Sequence, residues 1–172
     1  MGLDLAKMDL RDALDLAILM EEEARQRYVQ FSRMVGGRAS GDAADVFRLM
    51  ASYEEKHGSQ LASRRRSLFP DAPSRVTLDM LDDVEAPDHG QPRVFMSAHD
   101  AVQVAIRSEE KAWTFFDEAV RQVRDPAARE LFAELRSEEA EHRALLAERL
   151  RTLPPGPDLT DAEADEPGSD AG

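Results

Sequence analysis

The sequence predicts an all-α protein, an antiparallel four-helix bundle with a long crossover between its second and third helices. Three observations carry this. Four long segments repeat apolar residues at alternating spacings of three and four, the period of a helix with one buried stripe. Ala, Leu, Glu and Arg dominate a chain that is 42% hydrophobic but only 6% aromatic, and these residues favour helix. Between the second and third segments, residues 69–95 lose the repeat and carry Pro70, Pro73, Pro87, Gly90 and Pro92. A connection that long does not make a simple hairpin; it can return the chain to the far end of a bundle.

The first helix is expected from about Met8 to Val35. Its stripe reads Leu10, Leu14, Ala17, Glu21, Ala24, Tyr28, Phe31 and Val35, and Glu21 alone is out of character there. Gly36, Gly37 and Gly41 end it in a turn. The second is expected from about Asp42 to Leu68, with a stripe of Ala43, Phe47, Met50, Glu54, His57 and Leu61. Arg64, Arg65 and Arg66 near its end suit the helix dipole and read as a solvated terminus. Within the crossover, residues 76–84 are expected to form one short helix.

The third helix should start after Ser97, with Asp100 three residues on as a looser capping box. Its stripe is Ala98, Val102, Ala105, Glu109, Ala112, Phe116, Ala119 or Val120, and Val123. Asp125-Pro126 closes it and opens the fourth helix, with Pro in the first turn. That helix should run to about Leu153 on a stripe of Ala128, Phe132, Leu135, Glu139, His142 and Leu146, and Pro154, Pro155 and Pro157 stop it. The domain is therefore expected to span residues 1–153. Residues 154–172 have six acidic side chains, no basic ones and no apolar period, and read as a disordered acidic tail.

Other chemistry is excluded by composition. Net charge is −13, which argues against nucleic acid and anionic membranes as partners and suits attraction of cations. Without cysteine there are no disulfides, iron–sulfur clusters or thiol catalysis. The first twenty residues hold Asp4, Lys7, Asp9, Arg11, Asp12 and Asp15, too many charges for a signal peptide. No apolar run is long enough for a membrane span, and a cytoplasmic location is the default expectation.

The polar members of the four stripes are Glu21, Glu54, His57, Glu109, Glu139 and His142. Residues three apart share a helix face, so Glu54 with His57, and Glu139 with His142, each point a carboxylate and an imidazole at one spot. One Glu from each of two helices plus Glu-x-x-His from two others is the ligand set of dinuclear iron and manganese carboxylate bundles. Burying an unpaired charge costs several kcal/mol or forces the group neutral. Four carboxylates together would repel strongly; two divalent cations would bring the formal site charge to zero. Oxygen and imidazole donors suit iron or manganese, with zinc able to compete. Six residues shared by two metals leave positions open for peroxide, dioxygen or water. The halves also repeat: Glu21-x-x-Ala24-x-x-x-Tyr28 parallels Glu109-x-x-Ala112-x-x-x-Phe116, and each is followed at a similar interval by Glu-x-x-His. Ala24 and Ala112 would leave room beside the site. Tyr28 reads first as core, with a bond to a ligand as the alternative. Trp113 reads as core or dimer interface, His89 and His99 as surface, and Met20 and Met50 as packing residues.

Met20-Glu21-Glu22-Glu23-Ala24-Arg25-Gln26-Arg27-Tyr28, Glu54-Glu55-Lys56-His57, Glu109-Glu110-Lys111-Ala112 and Glu139-Ala140-Glu141-His142 together resemble the ferritin-like superfamily, rubrerythrin-type branch, over about residues 8–153. The resemblance implies a non-haem di-iron centre and oxidation of ferrous iron, reduction of peroxide, iron storage or related oxygen chemistry. Rubrerythrins usually add a glutamate where Ala112 stands, and commonly carry a cysteine-ligated electron-transfer domain that is absent here. The six-residue set is closer to bacterioferritins, but their haem-ligating Met is replaced by Glu55, so no haem is expected. The reading that follows is a di-iron oxidoreductase holding two iron ions (manganese or zinc as substitutes), with peroxide or dioxygen as oxidant, an unidentified electron donor and a homodimer as the expected assembly. An iron storage or carrier protein and a metal-free helical interaction module are the alternatives.

Overall fold

The computed structural model describes residues 3–35, 41–77, 80 and 96–155. They form four long helices, α1 (Leu10–Met34), α2 (Gly41–Leu68), α3 (Ala98–Gln122) and α4 (Pro126–Thr152), with a short 3-10 turn at Leu5–Lys7 before α1. No strand occurs among the described residues, and none of the described helices is long and apolar enough to cross a membrane.

The helix starts are set by side chains that satisfy free backbone N–H groups. Asp9 caps α1 by accepting from the Asp12 N–H at 3.0 Å, and the Asp12 carboxylate accepts in return from Asp9. Two acids in one cap repel, and Arg75 relieves this by bonding Asp9 at 2.5 Å and Asp12 at 2.7 and 2.8 Å. The cap starts α1 at Leu10, the first residue of its stripe and two residues after the expected start at about Met8. Ser97 and Asp100 make the expected capping box of α3. Asp125 accepts from the Ala128 N–H at 2.8 Å, with Pro126 in the first turn of α4.

Contacts between helices fix their directions. Arg65 near the end of α2 pairs with Asp15 near the start of α1, so α1 and α2 are antiparallel. Arg136 of α4 bonds Asp117 of α3, while His142 lies against Glu109, so α3 and α4 are antiparallel too. His57 faces Glu138, and Arg64 bonds Glu134 at 2.8 Å; α2 and α4 therefore also run in opposite directions. It follows that α2 and α3 are parallel. The end of α2 packs near Leu5, Met8 and Val123 in one apolar cluster, whereas Met96 and the start of α3 pack with Val35 and Ala43 in another. The chain between them must travel the bundle's length, about 40 Å for helices of this size. The long crossover is thus a consequence of parallel α2 and α3. The short helix expected over 76–84 falls mainly outside the described residues, as do the turn at 36–40, His89 and the tail from residue 156.

Arg65 departs from its expectation as part of a solvated terminus. It is buried, pairs with Asp15 at 2.7 and 3.2 Å, and donates to the carbonyls of Phe69 and Ala72, the latter at 2.7 Å. A guanidinium has five donors, and here they hold together α1, α2 and the first turn of the crossover. The core itself is split. Leu14, Leu16, Leu61, Phe116, Phe132 and Leu135 fill one end, and Tyr28, Phe47, Met50, Val102 and Leu146 fill the other. The polar members of the stripes lie between the two.

Candidate metal centre

All four helices bring charged residues into this middle layer. Glu21 of α1, Glu54 of α2, Glu109 of α3, and Glu139 and His142 of α4 are each no more than 6% exposed. His57 of α2 is partly buried. The stripes predict this placement, since each residue stands in line with apolar neighbours that are themselves buried: Phe47 and Met50 before Glu54, Phe132 and Leu135 before Glu139.

Glu54, Glu109 and His142 come closest together, each offering one ligand atom within 4.8 Å of the other two. His142 Nδ1 lies 2.9 Å from Glu109 Oε2 and 3.8 Å from Glu139 Oε2. The Glu21 and Glu54 carboxyl groups are electrostatically coupled. The His57 ring stacks on that of His142, 5.0 Å between centroids and within 8° of parallel. The six polar residues singled out from the sequence therefore form one contiguous group, with the trio at its tightest point and Glu21, Glu139 and His57 flanking it.

Electrostatics in this layer show the cost of packing carboxylates without countercharge. Burial pushes the Glu21 carboxyl up to about 8, with the charges of Glu139 and Glu109 adding to the shift. Burial likewise drives Glu54 and Glu139 well above the usual carboxylate range. Burial opposes charge on His142, but bonding to Glu109 and Glu139 outweighs it and pushes the imidazole up to about 10. Burial lowers His57. The metal-free cluster is thus a proton store, with protons held where cations could replace them.

Two buried atoms of this layer have no hydrogen-bond partner: Glu21 Oε2 and His57 Nδ1. Leaving such an atom unsatisfied costs about 1–3 kcal/mol, more for a charged group. Both are atoms of metal-ligand type, and a carboxylate and imidazole donor set matches iron, manganese or zinc. The residues present fit a metal.

Other side chains support the layer. Tyr28, expected first as a core residue, is fully buried, stacks on Phe47 at 6.2 Å and also donates to Glu109 Oε1 at 2.5 Å. Tyr53 and Glu138 stand outside the stripes. Tyr53 stacks on His142 at 5.2 Å, and Glu138 Oε2 lies 3.7 Å from His57 Nδ1. Glu138 precedes His142 by four positions and Tyr53 precedes His57 by four, so same-face spacing was the available signal. Gly58, after His57, faces α1: a Cβ there would lie 3.5 Å from Glu21 Cβ, an ordinary van der Waals contact. Trp113 is not core; it is half-buried beneath the Arg143 guanidinium, 5.7 Å away. A cavity of about 130 Å3 opens between α1 and α3, with Ala24 and Ala112 in its wall and Glu21 and Glu109 among its lining. The two alanines do leave room beside the site.

Residues 11–155 match the ferritin-like domain family. Among solved structures, an uncharacterised conserved protein from Magnetospirillum magnetotacticum is similar at 27% identity and a TM-score of 0.69, over 87% of this chain and 99% of that one. A hypothetical protein from Pyrococcus furiosus, 21% identical with a TM-score of 0.51, covers 87% of this chain and 95% of its own; it shares the fold. No curated protein matches the chain.

Proposed function

The chain belongs to the ferritin-like domain family, and from that premise we propose that it is a non-haem di-iron protein that oxidises ferrous iron with peroxide or dioxygen. Glu21, Glu54, His57, Glu109, Glu139 and His142 are the proposed ligands of two iron ions. The observation that carries the proposal is the convergence of Glu54, Glu109 and His142 within 4.8 Å in the buried middle of the bundle, beside a Glu21 oxygen that no protein group satisfies.

The chain's own groups prepare this site in stated ways. Tyr28 holds Glu109 Oε1 and leaves Oε2 turned to His142 Nδ1. The imidazole must be neutral before it can ligate a metal. Stacking by Tyr53 and His57 keeps the His142 ring from rotating away. The apolar clusters shield the layer on both sides, and the cavity between α1 and α3 leaves it open to molecules the size of water. Iron bound there would supply one-electron changes between its ferrous and ferric states.

The test is elemental mass spectrometry of the purified chain, followed by anaerobic ferrous loading and mixing with peroxide or air. Two iron ions per chain and a rise in ferric absorbance are expected. Changing Glu54 or Glu139 to Ala should abolish both. Unchanged metal content and oxidation rate in those variants would refute the assignment.

A further inference from the structure

Among the described residues the exposed large apolar side chains are Met34, Leu49, Leu68 and Leu145. Leu49 and Leu145 share one face. Arg64 with Glu134, His57 with Glu138 and Tyr53 with His142 mark where α2 and α4 run side by side in opposite directions. One turn beyond Tyr53, toward the start of α2 and the end of α4, come Leu49 and Leu145, 41% and 58% exposed. With the half-buried Tyr53 they make an apolar patch that no described residue covers. A lone exposed leucine needs no explanation; apolar side chains gathered on adjoining helices mark a contact surface.

The charges around the patch identify what covers it. The chain carries −13 overall, so two copies repel unless they meet where charge is balanced. Here it is balanced. Asp45 pairs with Arg48 and Glu148 with Arg151, while the exposed Lys56 and Arg149 offset the exposed Glu141. Glu141, Leu145 and Arg149 stand at intervals of four and form one ridge along α4. A two-fold axis through Leu145 lays this ridge antiparallel on the same ridge of a second copy. Leu145 then meets its equivalent, and Glu141, four positions before it, faces Arg149, four positions after it, twice over. The ridge is complementary to itself. A partner of uniform charge, basic or acidic, would match one end of it and oppose the other. Trp113 is outside this surface, because Arg143 lies over its ring and reaches Glu110 on the α3 side.

We propose that the α4 ridge centred on Leu145, flanked by Leu49 of α2, is the contact surface of a symmetric dimer of this chain, with Glu141 of each copy paired to Arg149 of the other. The dimer goes beyond the di-iron reading and does not rest on it, because none of these side chains is a proposed ligand. Its position has a consequence for the bundle. Tyr53 borders the patch and stacks on His142, so assembly covers the α2 and α4 side of the polar layer and leaves the cavity between α1 and α3 as the open side.

The experiment is analytical ultracentrifugation of the full-length chain from low to high micromolar concentration. A monomer–dimer equilibrium is expected. Leu145→Asp sets two like charges against each other at the axis and should weaken the dimer by about tenfold or more. Its circular dichroism should match the parent, because the side chain is exposed in the monomer. Glu141→Arg and Arg149→Glu each turn two attractions into two repulsions and should each weaken association by about tenfold. The chain carrying both changes should regain the parent's dimer affinity, which a merely structural role for either residue would not produce. A chain that stays monomeric overturns the proposal. So does an assembly of any size that Leu145→Asp leaves intact, or a double reversal that associates no better than the single ones.

Discussion

Tyr28 and Glu109, 81 positions apart in the chain, are joined by a 2.5 Å hydrogen bond from the phenol to the carboxylate in the buried middle of the bundle. The tyrosine ring packs in one apolar cluster while its hydroxyl reaches the polar layer. Packing and site geometry are therefore coupled through one side chain. Tyr28→Phe keeps the ring and removes the bond. Hydrogen bonds to charged groups are worth about 1.5–3 kcal/mol, so metal-free stability should fall by about 2 kcal/mol with an unchanged urea m-value. Equilibrium urea unfolding measures it; a stability within 0.5 kcal/mol of the parent would mean that the bond contributes nothing net.

Carboxylates that repel in the metal-free protein are expected to trade stability for binding. Glu54→Gln keeps the shape of the side chain and fixes it in the uncharged state that burial favours, so it removes the cost of ionising Glu54 as pH rises. In alkaline buffer the metal-free variant should melt higher than the parent, and metal content should fall. Thermal unfolding with elemental analysis of the same preparation checks both, and a lower melting temperature would contradict the idea that repulsion dominates at Glu54.

Stability of the metal-free protein should fall as pH rises through neutrality. The Glu21 carboxyl is raised from 4.5 to about 8. Its contribution is complete below pH 4.5 and is lost as pH climbs through 8. His142 is raised from 6.5 to about 10, so its contribution is complete below pH 6.5 and is lost toward pH 10. Glu54 and Glu139, raised by burial, act in the same direction. Melting temperatures from pH 5 to 9 should decline without metal and hold flatter with metal, and metal binding in weak buffer should release protons. A metal-free melting temperature that climbs across this range would reverse the sign.

Arg65 and Asp15 form a buried ion pair. Breaking such a pair by removing one partner costs about 3–5 kcal/mol, because the other is left charged and buried. Arg65→Ala should reach that range, since it also strips the carbonyls of Phe69 and Ala72 of their donor. Asp15→Ala should cost less, because Arg65 keeps the two carbonyls. Equal losses in chemical unfolding would show that the carbonyl bonds are immaterial.

Gly58 is not required sterically. A Cβ at 3.5 Å from Glu21 Cβ is ordinary van der Waals contact, and glycine inside a helix costs about 0.5–1 kcal/mol relative to alanine. Gly58→Ala should raise the melting temperature by about 1–4 °C with metal content intact. A drop would indicate that α1 and α2 cannot accept even one methyl group beside the site.

Much of this could be read from the chain before folding was considered. A charged residue that stands in line with Phe47, Met50 and Leu61, as Glu54 does, has no route to solvent once the helix buries that line. The same logic picked out Glu21, Glu109, Glu139 and His142, because helical period is a local property and survives in any tertiary arrangement. Cap residues were legible for a similar reason: Ser97, Asp100 and Asp125 act within three positions of themselves.

Arg65 lay beyond that reach, and Tyr28 stayed between core packing and a bond to a ligand. The middle arginine of three consecutive ones differs from its neighbours only because Asp15, fifty residues earlier, and two crossover carbonyls converge on it. Tyr28 looks like any aromatic core residue until α3 delivers Glu109 to its hydroxyl. The cavity, too, depends on how far apart α1 and α3 stand, which no residue type encodes by itself. Local periodicity settles which face of each helix is buried. Which faces then meet, at what level and with what space between them depends on packing between segments far apart in the chain.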